Sequence, residues 1–223
     1  MSAASIGLVL ASASPARLKT LRSAGIEPEV QVSDVDEEAV EAAARETYGE
    51  LDADQVALVL ARAKAEAVAS TRDDGLVLGC DSVLELDGEL HGKPRDPAEA
   101  TARWRRMRGG SGVLHTGHWL VDLRDPEDGG SGATLGAVAS TTVHFADVTD
   151  EEIAAYVATG EPLAVAGAFT TDGLGGAFVR GIEGDHHTVV GVSLPVLRDL
   201  LAECGVRWTD LWATPAGRPD AAG

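Results

Sequence analysis

Between Ile6 and Gly25 the chain reads IGLVLASASPARLKTLRSAG, an apolar run that passes through a Ser-rich turn directly into a helical pattern. That join leaves little choice of architecture. A short apolar run bounded by turn residues reads as a buried strand, and a strand feeding straight into a helix is the unit of an α/β sheet. Ile6 to Ala11 is the expected strand. Ser14 is a good N-cap and Pro15 a good first helical residue, with Leu18 and Leu21 on one face and Gly25 past the end, so the helix is expected to start at Pro15. Arg17 then falls in the first turn, where the helix dipole and unpaired N–H groups favour negative charge. A cation there suggests a bound anion, held by backbone N–H groups, the Ser12 and Ser14 hydroxyls and the Arg17 fork. A surface arginine on a well-capped helix is the alternative.

The remaining composition narrows the class. With 223 residues, 44% of them hydrophobic, there is ample core for one soluble domain. We expect that domain over residues 1–210, followed by a flexible tail over 211–223. Eighteen Lys and Arg against 36 Asp and Glu give a net charge of -18, which argues against a general nucleic-acid or anionic-membrane binder. Any phosphate site must be local. Cys80 and Cys204 lie in apolar contexts without metal-ligand partners at suitable spacing, which suits a reduced, cytoplasmic protein. The start of the chain lacks the basic residues and the apolar length of a signal peptide, and no segment approaches the ~20 apolar residues of a membrane span.

Further along, Glu29 to Ser33 alternates like a strand. Asp34, Asp36, Glu37 and Glu38 then form an acidic cluster, which is either a solvated loop, a helix start or a divalent-metal ligand set. Asp52 to Ser70 has the caps and apolar spacing of a helix, with Lys64 on it. Leu76 to Cys80 reads as a second buried strand ending in Asp81, and the C-terminal end of such a strand is where α/β folds place chemistry, so Asp81 is the first catalytic candidate. Val83 to His91 reads as a hairpin around Asp87-Gly88, closed by Gly92-Lys93-Pro94, which could fold Lys93 back over the same pocket.

Pro97 to Arg108 is a basic helix whose arginines are expected on a solvated face or a subunit contact. Gly112 to Leu123 and Gly136 to Phe145 read as long strands joined by an exposed Gly-rich acidic loop, with His115 either a substrate ligand or a hydrogen-bonded core residue. A helix from Glu151 to Thr159 follows, then a Gly-rich segment from Leu163 to Val179. Its Gly-Leu-Gly-Gly lacks the helix that a dinucleotide loop needs. The last core helix is expected at Ser193 to Ala202, and Trp208 onward reads as a fraying tail.

Taken in order, these stretches resemble the Maf, or septum-formation, family of nucleoside triphosphate pyrophosphatases, over essentially Ile6 to Gly205. Its Ser-x-Ser-Pro-Arg-Arg signature is matched by Ser12, Ser14, Pro15 and Arg17, its Val-Asp-Glu by Val35-Asp36-Glu37, and its helical Lys-Ala by Lys64-Ala65. Asp81-Ser82, Gly92-Lys93-Pro94, Ser111-Gly112, His115-Thr116-Gly117, Gly160-Glu161-Pro162, Ala166 to Phe169 and Val189 to Pro195 match further family stretches. The chain departs from the pattern at Ala16, Val165, Asp172 and Thr188.

The resemblance implies a Maf/ITPase-like α/β fold, an elongated mixed central sheet with flanking helices forming two lobes around a nucleotide cleft. It also implies a homodimer, a house-cleaning role on non-standard nucleotides and a link to cell-division arrest. The implied reaction is metal-dependent hydrolysis of a nucleoside triphosphate between the α and β phosphates, giving the monophosphate and pyrophosphate. Asp81 would be the general base. Ser12, Ser14, Arg17, Lys64, Ser82, Lys93, His115 and Asp172 would bind the substrate, and Glu37 and Glu161 would hold Mg2+ or Mn2+. A sugar nucleotidyltransferase and a noncatalytic nucleotide-binding regulator of cell division are the rival readings.

The departures bear on the base. Where pyrimidine-selective relatives carry a Gln that pairs both a donor and an acceptor, Asp172 when ionised only accepts, which suits the two donors on guanine's edge; Asp172-Gly173 as a plain turn pair is the alternative. Ala16 leaves room for a purine. Guanine-type triphosphates, methylated forms among them, are therefore expected to be cleaved at least as well as dTTP or UTP. Side-by-side kcat/KM values check this, and a preference for dTTP or UTP unaltered by Asp172→Ala would overturn it.

Overall fold

The computed structural model describes residues 6–212. Strand β1 (Leu8–Leu10) leads through the Ser14 cap, whose hydroxyl accepts from the Arg17 N–H, into helix α1 (Pro15–Ser23). The first unit is thus the one its sequence dictates. Strand β2 is only Glu29–Val30, shorter than the expected run to Ser33, because its one partner β1 ends at Leu10, opposite Val30. That helix, α2 (Glu37–Tyr48), resolves the acidic cluster as a helix start: Asp36 is its N-cap and Glu37 and Glu38 occupy its first turn. Helix α3 (Ala53–Ala69) follows.

Strand β3 (Leu76–Leu86) does not stop at Cys80 as expected but runs six residues further, so Asp81 lies in mid-strand. It lies nonetheless just beyond the parallel pairing. β1 is parallel to β2 on one side and to β3 on the other, and its register with β3 ends at Leu10 opposite Leu78. Strand β4 (Glu89–His91) pairs the same edge of β3 from Leu84 to Leu86, across the Asp87-Gly88 turn, where both residues have positive φ (54° and 77°). Between Leu78 and Leu84 that edge of β3 is unpaired. Asp81 and Ser82 sit in this notch.

Beyond the notch the sheet is antiparallel. Helix α4 (Pro97–Met107) leads to β5 (Ser111–Asp122) and β6 (Thr134–Phe145), which pair along their lengths, and the order is completed as β2-β1-β3-β5-β6-β7 with β7 (Val179–Glu183) at the edge. Helices α5 (Asp150–Ala158), α6 (His186–Val190) and α7 (Leu194–Glu203) complete the fold. Trp208 to Leu211, expected as the start of a loose tail, forms a short 3-10 turn that buries Leu211 beside Leu21 and Ile26. The rest of the expected tail, residues 213–223, lies outside the described residues.

Side-chain alternation along β3 and β5 explains the two lobes. On one face Leu78, Cys80 and Leu120 pack with α1 and α7, while Leu84, Leu86 and Leu114 pack with α4 and α5 around Trp104 and Phe145. Ser82, Thr116 and His118 are the residues of that face lying between the two apolar clusters, a polar belt across an otherwise apolar surface. The other face carries α3 in backbone contact, since a Cβ at Gly79 would stand 2.2 Å from the Ala61 carbonyl oxygen and one at Gly117 2.3 Å from that of Ala57. Only glycine lets the helix lie so close. Helix α4 is amphipathic in an unexpected way: Ala100, Arg103, Trp104 and Met107 form its buried stripe, so Arg103 is a core residue and not part of a solvated face.

Gly117→Ala is therefore expected to lift α3 from the sheet at a cost of about 3 kcal/mol, lowering Tm by roughly 6–12 °C. Calorimetry on the variant checks it, and an unchanged Tm would show that α3 does not rest on β5 through this glycine.

Candidate active site

A cleft of about 630 Å³ opens at the notch, between the two lobes. Among the residues singled out from the sequence, Ser12, Ser14, Arg17, Glu37, Lys64, Asp81, Ser82, Lys93, Glu161 and Asp172 all line it. His115 does not. Its ring nitrogens face Ser140 Oγ at 2.9 Å and Glu85 at 3.3 Å, which makes it a cross-strand hydrogen-bonding residue of the sheet. Another cleft of about 590 Å³ lies at the opposite end of β1, but its one cation, Arg72, is engaged by Glu29 and Gln31 and none of the candidate residues reaches it.

Arg17 reaches into the cleft from the first turn of α1. Its Nε donates to the Gly191 carbonyl at 2.7 Å, its Nη1 to Ser12 Oγ at 3.0 Å and its Nη2 to Ser82 Oγ at 3.2 Å. Every one of these acceptors is neutral. Arg17 as a residue is 9% exposed, and it has no carboxylate within ion-pair distance among the described residues. A buried charge with no carboxylate in contact is costly, and an anion entering the cleft would add to the attraction of nearby Asp81. The hydroxyls behind Arg17 have a fixed proton order. Thr116 Oγ1 spends its one proton on the Thr188 carbonyl at 2.8 Å, so Ser82 must donate to Thr116 at 2.9 Å and accept from Arg17.

On the α3 face, Lys64 Nζ lies 2.5 Å from Asp81 Oδ1 and 2.6 Å from Glu37 Oε1. The close seat of α3 on Gly79 brings Lys64 over Asp81, and the Asp36 cap brings Glu37 to the same ammonium. Asp81 is 8% exposed. Burial pushes its pKa up from the usual carboxylate range and outweighs the lowering pull of Lys64 and Arg17, while Glu37 adds to the rise. The neighbouring Cys80 thiol is pushed up to about 12 by burial, so it stays protonated and is no nucleophile. Lys93, exposed beyond the β3–β4 hairpin, has no ion-pair partner among the described residues and faces the cleft from the opposite lobe.

Glu161 is committed elsewhere. Its oxygens accept from Tyr156 Oη, Thr170 Oγ1 and the N–H groups of Leu174 and Gly175, four donors at 2.6–3.0 Å that fix the segment from Glu161 to Phe178. Asp172, on that segment, stands 3.5 Å from Lys19 of α1, at the cleft wall that also carries Ala16. Among the described residues no group of three or more His, Cys, Asp or Glu side chains could by itself hold a metal ion. Three residues of the site's frame were missed from the sequence: His118, Gly191 and Arg103. The apolar spacing of α4 signals Arg103, and the polar positions between the apolar ones of β5 signal His118. Gly191 is the glycine of the matched Val189 to Pro195 stretch, but nothing local signals the partner of its carbonyl.

A family model described as Maf-like protein matches residues 7–204. A protein of Salinispora tropica named nucleoside triphosphate pyrophosphatase is 61% identical over 92% of this chain and 87% of its own length. One of the same name from Leifsonia xyli subsp. xyli is 56% identical over 92% and 96%. A solved structure, that of the Staphylococcus aureus Ham1 protein, aligns at TM-score 0.38 and 15% identity over 63% of this chain and 72% of that one, a likeness too slight to inform the fold.

The Asp81 environment makes a prediction of its own. A pKa raised in the folded chain means that folding favours the protonated acid, a contribution present below the unfolded value and lost as pH rises through the folded one. An NMR titration of the Asp81 carboxyl carbon should place its midpoint above the model-peptide value of 3.8. In Lys64→Met the midpoint should move higher still. A midpoint below the model value, or one unmoved by Lys64→Met, would overturn the account.

Proposed function

The chain belongs to the Maf-like protein family, and from that membership we propose that it is a nucleoside triphosphate pyrophosphatase, as its relatives from Salinispora and Leifsonia are named. In this reading it cleaves the triphosphate between the α and β phosphates. The observation that carries the reading is Arg17, a buried guanidinium bonded only to neutral oxygens, in a cleft shared with Lys64, Lys93 and the buried carboxylate of Asp81. A triphosphate carries about four negative charges, and its cleavage is promoted chiefly by fixed cations and positioning.

Arg17 and Lys93 would grip phosphate oxygens from the two lobes. Asp81, in its ionised form, would take one proton from a water whose oxygen attacks the α phosphorus. As that bond forms, the bond from the α phosphorus to the bridging oxygen breaks, and pyrophosphate leaves with the electron pair. Lys64 holds Asp81 and Glu37 in place and limits the rise of the Asp81 pKa, which favours the ionised form that a base needs.

A magnesium or manganese ion fits here as a companion of the substrate. Such an ion takes oxygen ligands and needs only one or two protein carboxylates when phosphate oxygens and waters complete its shell. Glu37 would hold it, and its chemistry would be to neutralise charge developing on the phosphates. Glu161 does not fit that role, since its oxygens already accept four donors.

The test is to incubate the protein with a panel of triphosphates and Mg2+ or Mn2+ and to identify the products by chromatography. Monophosphate with pyrophosphate is expected. Diphosphate with orthophosphate, or no turnover of any triphosphate, would overturn the reading. Asp81→Asn should fold and bind nucleotide but lose roughly 10²–10⁴-fold in kcat. Wild-type turnover in that variant would remove Asp81 as the base.

A further inference from the structure

Arg17 depends on the turn that follows α6 at least as much as on its own helix. The Gly191 carbonyl takes its Nε at 2.7 Å, and the fit is tight: Gly191 has φ +111°, and a Cβ there would stand 3.0 Å from Arg17 Nε. Two hydrogen bonds from neighbouring positions of β5 hold this turn to the sheet. Thr116 Oγ1 donates to the Thr188 carbonyl at 2.8 Å, and the Ser193 N–H donates to His118 Nε2 at 2.7 Å. Gly191 lies between these anchors. Thr116 also reaches Arg17 through Ser82, whereas His118 reaches it only through the turn.

His118 is fully buried in the polar belt. Because Nε2 accepts, the ring's proton must sit on Nδ1, toward the backbone of Ala137 and Thr116 but without the alignment of a full hydrogen bond. Protonating Nε2 would remove the acceptor and place a second positive charge beside Arg17. Burial and the Arg17 charge hold the ring neutral, with a pKa lowered to about 4. An imidazole at this place in the core does nothing for packing that an apolar side chain would not do without a desolvation cost. What it adds is one rigid acceptor.

We propose that His118 is a positioning residue for Arg17: through the Ser193 N–H it fixes the Gly191 carbonyl, and thereby the angle at which the guanidinium meets a substrate phosphate. This rests on the reading of Arg17 as a phosphate grip. Asn at position 118 is small enough to fit but lacks an acceptor at the Nε2 position, and Gln supplies one there. His118→Asn is expected to lower kcat/KM about tenfold, since small misplacements of catalytic contacts carry penalties of this order and above. His118→Gln should recover most of that loss.

The deciding measurement is the same substitution in an Arg17→Ala background. There His118→Asn should change kcat/KM by less than about twofold, because the group it positions is gone. A side chain that merely supports the fold would cost the same factor in both backgrounds, and that result overturns the proposal, as does wild-type activity in His118→Asn or an equal loss in His118→Gln. Unchanged kcat/KM in Arg17→Ala alone would instead overturn the phosphate-grip reading. A wild-type measurement stands apart from folding of the variants. Nitrogen NMR should find His118 as the Nδ1–H tautomer from pH 6 to 8, and a proton on Nε2 or titration within that range overturns the assignment.

Discussion

The constraint on which the rest depends is that β1 stops at Leu10 while β3 continues to Leu86. A sheet edge that is covered by one strand, then bare, then covered by another has a gap open to both faces, and here the gap falls at Asp81 and Ser82. Successive residues of a strand point to opposite faces, so neighbours in sequence deliver different chemistry: Asp81 turns toward α3 and Lys64, Ser82 toward Arg17. One dipeptide thereby joins the wall that carries Lys64 and Glu37 to the wall that carries Arg17. No loop could hold the two at so constant a separation.

Charge in the site is distributed unevenly, and the unevenness follows from burial. Lys64 answers two carboxylates, Glu161 is satisfied by four donors, and Asp172 is lightly paired with an exposed lysine. Arg17 alone is buried with neutral partners only. In a chain of net charge -18 the cleft lining is itself acidic, with Glu37, Glu38, Glu41, Asp81, Glu161 and Asp172 beside Arg17, Lys64 and Lys93, so any pull on an anion is confined to the points where Arg17 and Lys93 lack a carboxylate in contact.

Much of this was legible in the sequence. The Ser14-Pro15 cap, the Asp87-Gly88 turn and the caps of α3 and α5 are local chemistry, and each formed where local chemistry puts it. The acidic cluster at Asp36 was ambiguous because a helix start and a metal loop call for the same residues. The end of β3 was misplaced because a polar residue inside a strand reads as a strand end, and only the pairing with β5 and β4 shows that the strand continues. Glu161 and His115 illustrate a different limit. A carboxylate or an imidazole carries the same letter whether it faces a ligand or closes a loop, and the partners that decide the matter, Gly175 and Ser140 among them, lie 14 and 25 residues away. Gly191 is legible as the glycine of the Val189 to Pro195 stretch, but its role is not: that role is a carbonyl pointing at a side chain 174 residues distant.

The proton order behind Arg17 has a consequence for how the cleft treats what enters it. With its hydrogen given to Thr116 and one lone pair taken by Arg17, Ser82 shows the cleft only its remaining lone pair. Such a surface repels phosphate oxygens and welcomes donors: a water turned by its hydrogens, a sugar hydroxyl, a ring N–H. The floor of the notch thus acts as a polarity filter, and an anion held by Arg17 is kept to the outer side of the guanidinium.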